Sequence, residues 1–306
     1  MYSIGAMKTC VISVVVAGCA SLSFVQAQDV FGTGENKFTM AFVNVGDAGN
    51  AADETDLGSV GYRYRMGKYE VSRGMIDAYN ALSGGPKLDM ADMSRFAGGG
   101  ANRPATGLSW NEAARFVNWL NTSRGHSAAY KFTTGGGNDD IALWTSTDEG
   151  YDAGNPFRNS KAHYFLPSED EWYKAAYYDP AANSGAGGYW NFATGSDAAP
   201  EATRGGTVKG TAVFRDGVKL RTKGPADITN AGGLSPYGTM AQNGNVYEWG
   251  ESGITPPNDK ADGLRPIRGG LWISSSDQLS SSFRLSNKPS FQYYNIGFRV
   301  ASVSQP

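Results

Sequence analysis

Three short segments near the end of the chain decide the fold: residues 237–249 read YGTMAQNGNVYEW, residues 267–272 read IRGGLW, and residues 295–299 read NIGFR. The whole sequence has 306 residues, of which 41 are glycine and only 18% are charged. Such a composition is poorly suited to a coiled coil or a helical bundle and favours a compact fold with many turns. A chain of this length can bury a large core without disulfide bonds.

Three helices are predicted from local start signals. Ser72 is a suitable N-cap, and Ser109 and Ser168 are each followed after three residues by a glutamate, Glu112 and Glu171, which completes a capping box. Each start precedes apolar residues at helical spacing. We therefore expect each helix to bury one face.

The strands are predicted to be short. Residues 39–45 form a mostly apolar run, and residues 61–71 alternate aromatic or apolar with charged residues, which is the period of a half-buried strand. No βαβ repeat connects helices and strands, so an α+β fold is expected. Residues 181–236 are rich in Gly, Ala, Ser and Thr and have two interpretations, a set of ordered surface loops or a poorly ordered insertion.

Several segments, taken in order, resemble one family. Residues 64–71, residues 107–114 (GLSWNEAA), residues 166–172 (LPSEDEW) and the three segments within 237–299 together extend over residues 60–302. This pattern resembles the formylglycine-generating enzyme, or sulfatase-modifying-factor, family. The resemblance implies an enlarged variant of the C-type lectin fold, which is α+β and loop-rich, with short strands and few helices.

The resemblance also implies an activity that the residues contradict. Oxidases of the family carry a pair of cysteines after the Gly-Gly of the second segment, whereas this sequence has Ser274 at the first position and Leu279 or Ser280 at the second. Its only cysteines are Cys10 and Cys19. A serine hydroxyl has neither the copper affinity nor the redox chemistry of a thiolate. We therefore expect no formylglycine-generating activity and no catalytic residue at Ser274.

A related branch of the superfamily holds non-haem iron with histidines. Such a site needs two or three imidazoles, or two with a carboxylate. The chain has two histidines, His126 and His163, and neither is part of an H-x-x-x-H or H-x-E arrangement. Neither iron nor copper is therefore expected, and a metal-dependent oxidoreductase of this superfamily is kept as an alternative function.

Calcium is the cofactor that the resemblance favours, through a weak site. The positions that match the family's calcium ligands are Gly244 and Val246, through their carbonyls, and Glu248, through its carboxylate. A further side-chain ligand of the family falls on Ala241, which has no oxygen to offer, and calcium prefers six to eight oxygens. The other interpretation of Glu248 is an ion pair with a nearby arginine. Both interpretations stay open at the level of sequence.

The region after the Gly-Gly is rich in serine and leads into a run of aromatic residues, and in the family fold it lines a ligand groove. Mixtures of Ser, Tyr and Asn make adaptable binding surfaces. The region also resembles the variable tail of lectin-fold proteins that are diversified by retroelements, which ends in a similar NIGFR. The predicted groove residues are Trp272, Ser274, Ser276, Asp277, Arg284, Tyr293 and Tyr294.

The expected function is a non-catalytic module, either structural or binding a peptide, protein or carbohydrate. The alternatives are the oxidoreductase named above and a retroelement-diversified binding protein. A formal net charge of −2 supplies no basic field for nucleic acid.

The N-terminus predicts export. Residues 1–27 have the pattern of a signal peptide that ends in an A-x-A-like site, and no transmembrane segment is expected. A lipoprotein leader ending at residue 18, with a lipid anchor on Cys19, is the alternative. Residues 28–306 are then one domain in a secreted, periplasmic or cell-surface protein.

Overall fold

The computed structural model describes residues 27–133, 135–136, 138, 141–215, 223–255 and 259–304. The predicted leader, apart from Ala27, and both cysteines lie outside these residues, as does the alternative lipid anchor at Cys19.

The strands of the described chain are short, as predicted. They are β1 Ala27–Phe31, β2 Phe38–Val45, β3 Tyr64–Gly67, β4 Lys131–Phe132, β5 Ile141–Ala142, β6 Tyr164–Phe165, β7 Tyr178–Asp179, β8 Gly188–Tyr189, β9 Glu201–Ala202, β10 Thr211–Ala212, β11 Tyr247–Trp249, β12 Arg265–Arg268, β13 Leu285–Asn287, β14 Ile296–Gly297 and β15 Ala301–Val303.

The described α-helices are α1 Arg73–Leu82, α2 Trp110–Thr122, α3 Glu169–Tyr177 and the single turn α4 Ala182–Gly185. Short 3-10 helices cover Gly34–Asn36, Ser94–Phe96 and Ser276–Leu279. In the part of the chain that the structure describes, no helix is long and apolar enough to cross a membrane. Few helices among many short strands confirm the α+β class.

The helix starts lie where the sequence predicted them. The Ser72 side chain accepts a hydrogen bond from the third residue of α1. Ser109 and Ser168 begin α2 and α3, and both capping boxes are complete. These caps satisfy amide groups that a buried helix end cannot leave to water. On α2, Phe116 and Val117 are fully buried in the main core.

A five-stranded antiparallel sheet has the strand order β1-β2-β3-β15-β6. Strand β3 was expected to be half-buried, yet all four of its residues are buried. The reason is Arg65, which forms an ion pair of 2.7 Å with the buried Asp29 of β1 and stacks 4.6 Å from the centre of the Phe42 ring. The charge that marks a solvent-facing position in the sequence is here neutralised inside the sheet.

The three deciding segments lie side by side in a second sheet of four strands, β13-β12-β11-β14. Strand β11 pairs antiparallel with β12, where Glu248 is opposite Arg268, and parallel with β14, where Glu248 is opposite Gly297. The chain leaves β12 through Gly270, whose φ of +76° is unfavourable for other residues. Glu248 therefore lies where all three segments meet.

The glycine-rich region 181–236 is ordered wherever it is described. Val213 and Phe214 are buried, and Val213 forms a β-bridge with Gly244, which lies just before strand β11 of the second sheet. Of the two interpretations of this region, ordered loops agree with the structure over residues 181–215 and 223–236.

Candidate functional site

Glu248 is held by a buried ion pair. Its Oε1 lies 2.6 Å from Nη2 of Arg299, and its Oε2 accepts hydrogen bonds from Nε of Arg299 (2.6 Å) and from Nε1 of Trp172 (2.7 Å). Neither charged side chain has any exposed surface. The guanidinium also donates to the carbonyls of Gly67 (2.9 Å) and Met240 (2.8 Å). One arginine therefore fastens β3, β11 and the loop before β11.

This geometry does not fit the expected calcium site. Both oxygens of Glu248 accept hydrogen bonds from nitrogen donors, and Arg299 already supplies the positive charge that balances the carboxylate. Ala241, at the remaining side-chain ligand position, supplies no oxygen. The carbonyls of Gly244 and Val246, even with the buried and unpartnered Oδ1 of Asn243, are fewer than the six to eight oxygens that calcium prefers. Of the two interpretations of Glu248, the ion pair is the one whose partner, Arg299, lies within hydrogen-bond distance.

A second carboxylate, missed at the level of sequence, lies beside this pair. Glu70 is 1% exposed and accepts a hydrogen bond of 2.6 Å from the Asn245 side chain. Burial and the nearby charge of Glu248 raise the pKa of Glu70 well above its usual range, while Arg299 acts in the opposite direction. Burial beside a second carboxylate therefore favours the neutral form of the Glu70 carboxyl group.

The two positions that match the family's cysteines are filled by packing. Ser274 is 1% exposed, and its hydroxyl accepts a hydrogen bond of 3.1 Å from the Leu271 amide. Leu279 is fully buried against Phe192 and Phe214. Ser280, the other candidate, donates its hydroxyl to the Asp277 carbonyl at 2.8 Å. The site where the family's oxidases perform chemistry is occupied here by a hydrogen-bonded serine and an aliphatic side chain.

The structure corrects the predicted groove at several positions. Trp272 is fully buried and Ser274 nearly so, so neither offers a surface to a ligand. Arg284 forms an ion pair with Glu169, which also pairs with Arg268 at 2.7 Å. Ser276 is half-buried and Asp277 exposed, and within the described residues no hydrogen bond or ion pair joins them to Tyr293 or Tyr294. Only the two tyrosines form a surface together.

These tyrosines belong to a continuous set of rings, which we call the aromatic row: Phe96, Phe291, Tyr293 and Tyr294. Phe291 stacks on Tyr293 with centroids 5.8 Å apart, Tyr293 contacts Tyr294 at 4.7 Å, and Tyr294 lies parallel to Phe96 at 5.1 Å. The Arg95 guanidinium lies 4.6 Å from the Phe96 centroid. Tyr293 is 47% exposed. The sequence did not indicate Phe96, because it comes from a distant 3-10 helix.

The two histidines, far apart in sequence, are stacked with their centroids 4.7 Å apart. Nε2 of His163 lies 3.2 Å from Nη2 of Arg65. Burial, His126 and Arg65 lower the pKa of His163 to about 4. Among the described residues no three His, Cys, Asp or Glu side chains are grouped as metal ligands. The Arg65 guanidinium places a positive charge beside the two rings, which disfavours a bound cation there.

With this geometry described, comparisons with known proteins establish the family. The model of the sulfatase-modifying factor enzyme 1-like domain matches residues 34–303, and so begins earlier than the predicted family core at residue 60. The chain belongs to this family. A search of curated proteins gave no match.

Solved structures share the fold of this sulfatase-modifying-factor domain. Variable protein 1 of Treponema denticola is 18% identical with a TM-score of 0.56, and the match covers 90% of this chain and 99% of that one. CarF is 19% identical with a TM-score of 0.57, covering 87% and 99%. PvdO from Pseudomonas aeruginosa is 18% identical with a TM-score of 0.53, covering 90% and 98%. At these identities the likeness is one of fold alone.

Replacing Arg299 by Met should destabilise the domain by about 3–5 kcal/mol, because Glu248 would be left buried without its partner. Urea unfolding measures the loss. Arg284→Met is the matched control: Arg284 is 35% exposed and Glu169 would keep Arg268, so its cost should be about 1 kcal/mol or less. Equal losses in the two variants would show that the Arg299 pair is not the stronger constraint.

Addition of EDTA should leave the melting temperature unchanged, since the Glu248 carboxylate is already satisfied by Arg299 and Trp172. A calcium site saturated at about a hundred times its Kd would add about 2.7 kcal/mol of stability, which a thermal melt detects easily. A melt lowered by EDTA and restored by calcium, but not by magnesium, would contradict this expectation.

Acid should destabilise the fold through His163. The folded pKa of about 4 lies below the ordinary value of 6.5, so the unfolded chain binds the proton more readily. Stability from this group is complete above pH 6.5 and is lost as the pH falls toward 4. His163→Gln should flatten that part of the profile by about 1–2 kcal/mol, because water at the half-buried ring offsets some of the desolvation cost. Urea titrations at pH 7, 5.5 and 4.5 test this; parallel profiles for wild type and variant would refute it.

Proposed function

We propose that this protein is an exported, non-catalytic member of the sulfatase-modifying-factor family that binds its ligand on the aromatic row. The observation that carries the proposal is the partly exposed set of stacked rings around Tyr293 and Tyr294. Export rests on the signal-peptide pattern of residues 1–27.

The absence of the family's cysteine pair supports a binding role. Ser274 and Leu279 stand where the cysteines would be, and both are packed into the interior. A substrate peptide therefore finds no thiol and no open pocket at those two side chains. Selection for formylglycine formation would not tolerate either residue, whereas a binding scaffold can use the same fold without them.

The aromatic row has the properties of a contact surface. Tyrosine provides a large, rigid face at a low cost in side-chain entropy, and its hydroxyl adds a hydrogen bond. Stacking on both neighbours holds the Tyr293 ring between Phe291 and Tyr294 before any ligand arrives. Preorganisation of this kind converts more of the contact energy into affinity. The C–H face of a sugar ring or the side chains of a peptide can rest on such rings.

Tyr293→Ala should weaken ligand binding by about tenfold or more while leaving the thermal melt unchanged, because the residue is a half-exposed anchor. The purified protein is first screened against immobilised glycans and peptides, and the best ligand is then titrated calorimetrically. Tyr151→Ala is the control, since that tyrosine is also exposed (37%) but lies outside the row.

Two results would count against this function. The first is equal affinity of wild type and Tyr293→Ala for every ligand found. The second is oxygen consumption with a sulfatase-type peptide, which would return the protein to the enzymes of the family.

A further inference from the structure

A surface cleft of about 480 Å³ lies at one end of the aromatic row. Its lining is Phe96, Ala97, Arg103, Arg204, Lys223, Gly224 and Pro225. Three of these seven side chains are cationic and none is acidic. A local excess of positive charge is unexpected in a protein whose net charge is −2.

Within the described part of the chain, two of the three cations have no ion-pair partner. Arg103 is partly neutralised, because its Nε lies 3.2 Å from a carboxylate oxygen of Asp227 and its Nη1 donates to the Pro225 carbonyl. Arg204 and Lys223 are exposed, and among the described residues no carboxylate lies within ion-pair distance of either. The cleft therefore keeps a positive potential that a bound anion would neutralise.

The cleft and the aromatic row share one residue. Phe96 lines the cleft with one part of its surface and stacks on Tyr294 with its ring. Gly224 lines the same cleft and lies against the backbone of Phe96. A Cβ at Gly224 would lie 1.7 Å from the Phe96 carbonyl oxygen, so only glycine allows the two segments to come this close. A ligand that rests on the row can thus extend directly into the cleft.

We propose that the cleft binds the carboxylate or sulfate of an acidic saccharide whose sugar rings lie on the aromatic row. This inference rests on the proposed function and adds the charge of the ligand to it. Guanidinium groups match the planar oxygen pairs of carboxylate and sulfate and donate two parallel hydrogen bonds. A volume of about 480 Å³ is within the range of small-molecule sites and suits one or two sugar units.

The small number of free cations selects among anions. Arg204 and Lys223 can pair with one or two negative charges, whereas binding along a nucleic-acid backbone needs a stripe of basic residues that a chain of net charge −2 does not provide. The neighbouring rings favour a ligand that has flat, apolar faces as well as charge. A short uronate-containing or sulfated oligosaccharide has both.

The test is calorimetric titration of the intact protein with trigalacturonate and with galactotriose, which differ by their carboxylates. Wild type should bind trigalacturonate at least tenfold more tightly, and raising the salt concentration should reduce that difference. Arg204→Gln should lower the affinity for trigalacturonate about tenfold without changing that for galactotriose. Lys223→Gln is the second cleft variant, and Lys209→Gln, which removes an exposed charge elsewhere, is the control.

A carrageenan tetrasaccharide, which has sulfate but no carboxylate, distinguishes the two anionic groups.

Each outcome decides the inference. A loss of acidic-sugar affinity in both cleft variants, and not in Lys209→Gln, supports it. Equal affinity for acidic and neutral sugars, or no binding of trigalacturonate, galactotriose or the carrageenan tetrasaccharide, overturns it. The proposed function is judged separately by Tyr293→Ala: a ligand that needs Tyr293 but is indifferent to Arg204→Gln would leave the binding function standing and remove only the anionic cleft.

Discussion

The ion pair between Glu248 and Arg299 is the constraint on which the rest of the structure depends. It links strand β11 to the chain that follows β14, and Arg299 reaches back to the Gly67 and Met240 carbonyls. A buried pair of this kind stabilises only when its other hydrogen-bonding positions are also filled, and here they are, by Trp172 and by main-chain oxygens. The three motifs of the family are therefore one interlocked unit.

That interlocking explains how the fold tolerates the absence of the family's cysteine pair. The pair and its neighbour Glu70 make no hydrogen bond to the residues at the positions of the family's cysteines. Ser274 and Leu279 can therefore stand in place of the cysteines, the first held by a hydrogen bond and the second by packing, without disturbing the strands. The turn at Gly270 shows how tightly the Leu279 side chain is packed, because a Cβ at Gly270 would lie 2.8 Å from it.

The features that were predicted correctly are those fixed by residues close together in sequence. The capping boxes at Ser109 and Ser168 are complete within four residues, so they are readable without a structure. The wrong predictions concern residues whose contacts come from distant parts of the sequence. Arg65 is buried with an ion-pair partner, Asp29, that comes from the non-adjacent strand β1, and the aromatic row needs Phe96 from a remote 3-10 helix. No local period encodes these contacts, and charge patterning by itself indicated the wrong environment for Arg65.

The division between interior and surface also suggests why the tail after Gly270 can specialise. Its buried members, Trp272 and Leu279, are committed to the core, while Tyr293 and Tyr294 meet elements from elsewhere in the chain at the surface. Substitutions at the exposed members alter what is contacted without altering how the sheet is held. The Glu248–Arg299 pair is buried, whereas Arg204 and Lys223 are exposed, so the groups that hold the fold and the charged groups at the surface are separate sets of residues. Substitutions at such exposed positions carry little risk to the fold, since surface substitutions usually cost about 0.5 kcal/mol or less.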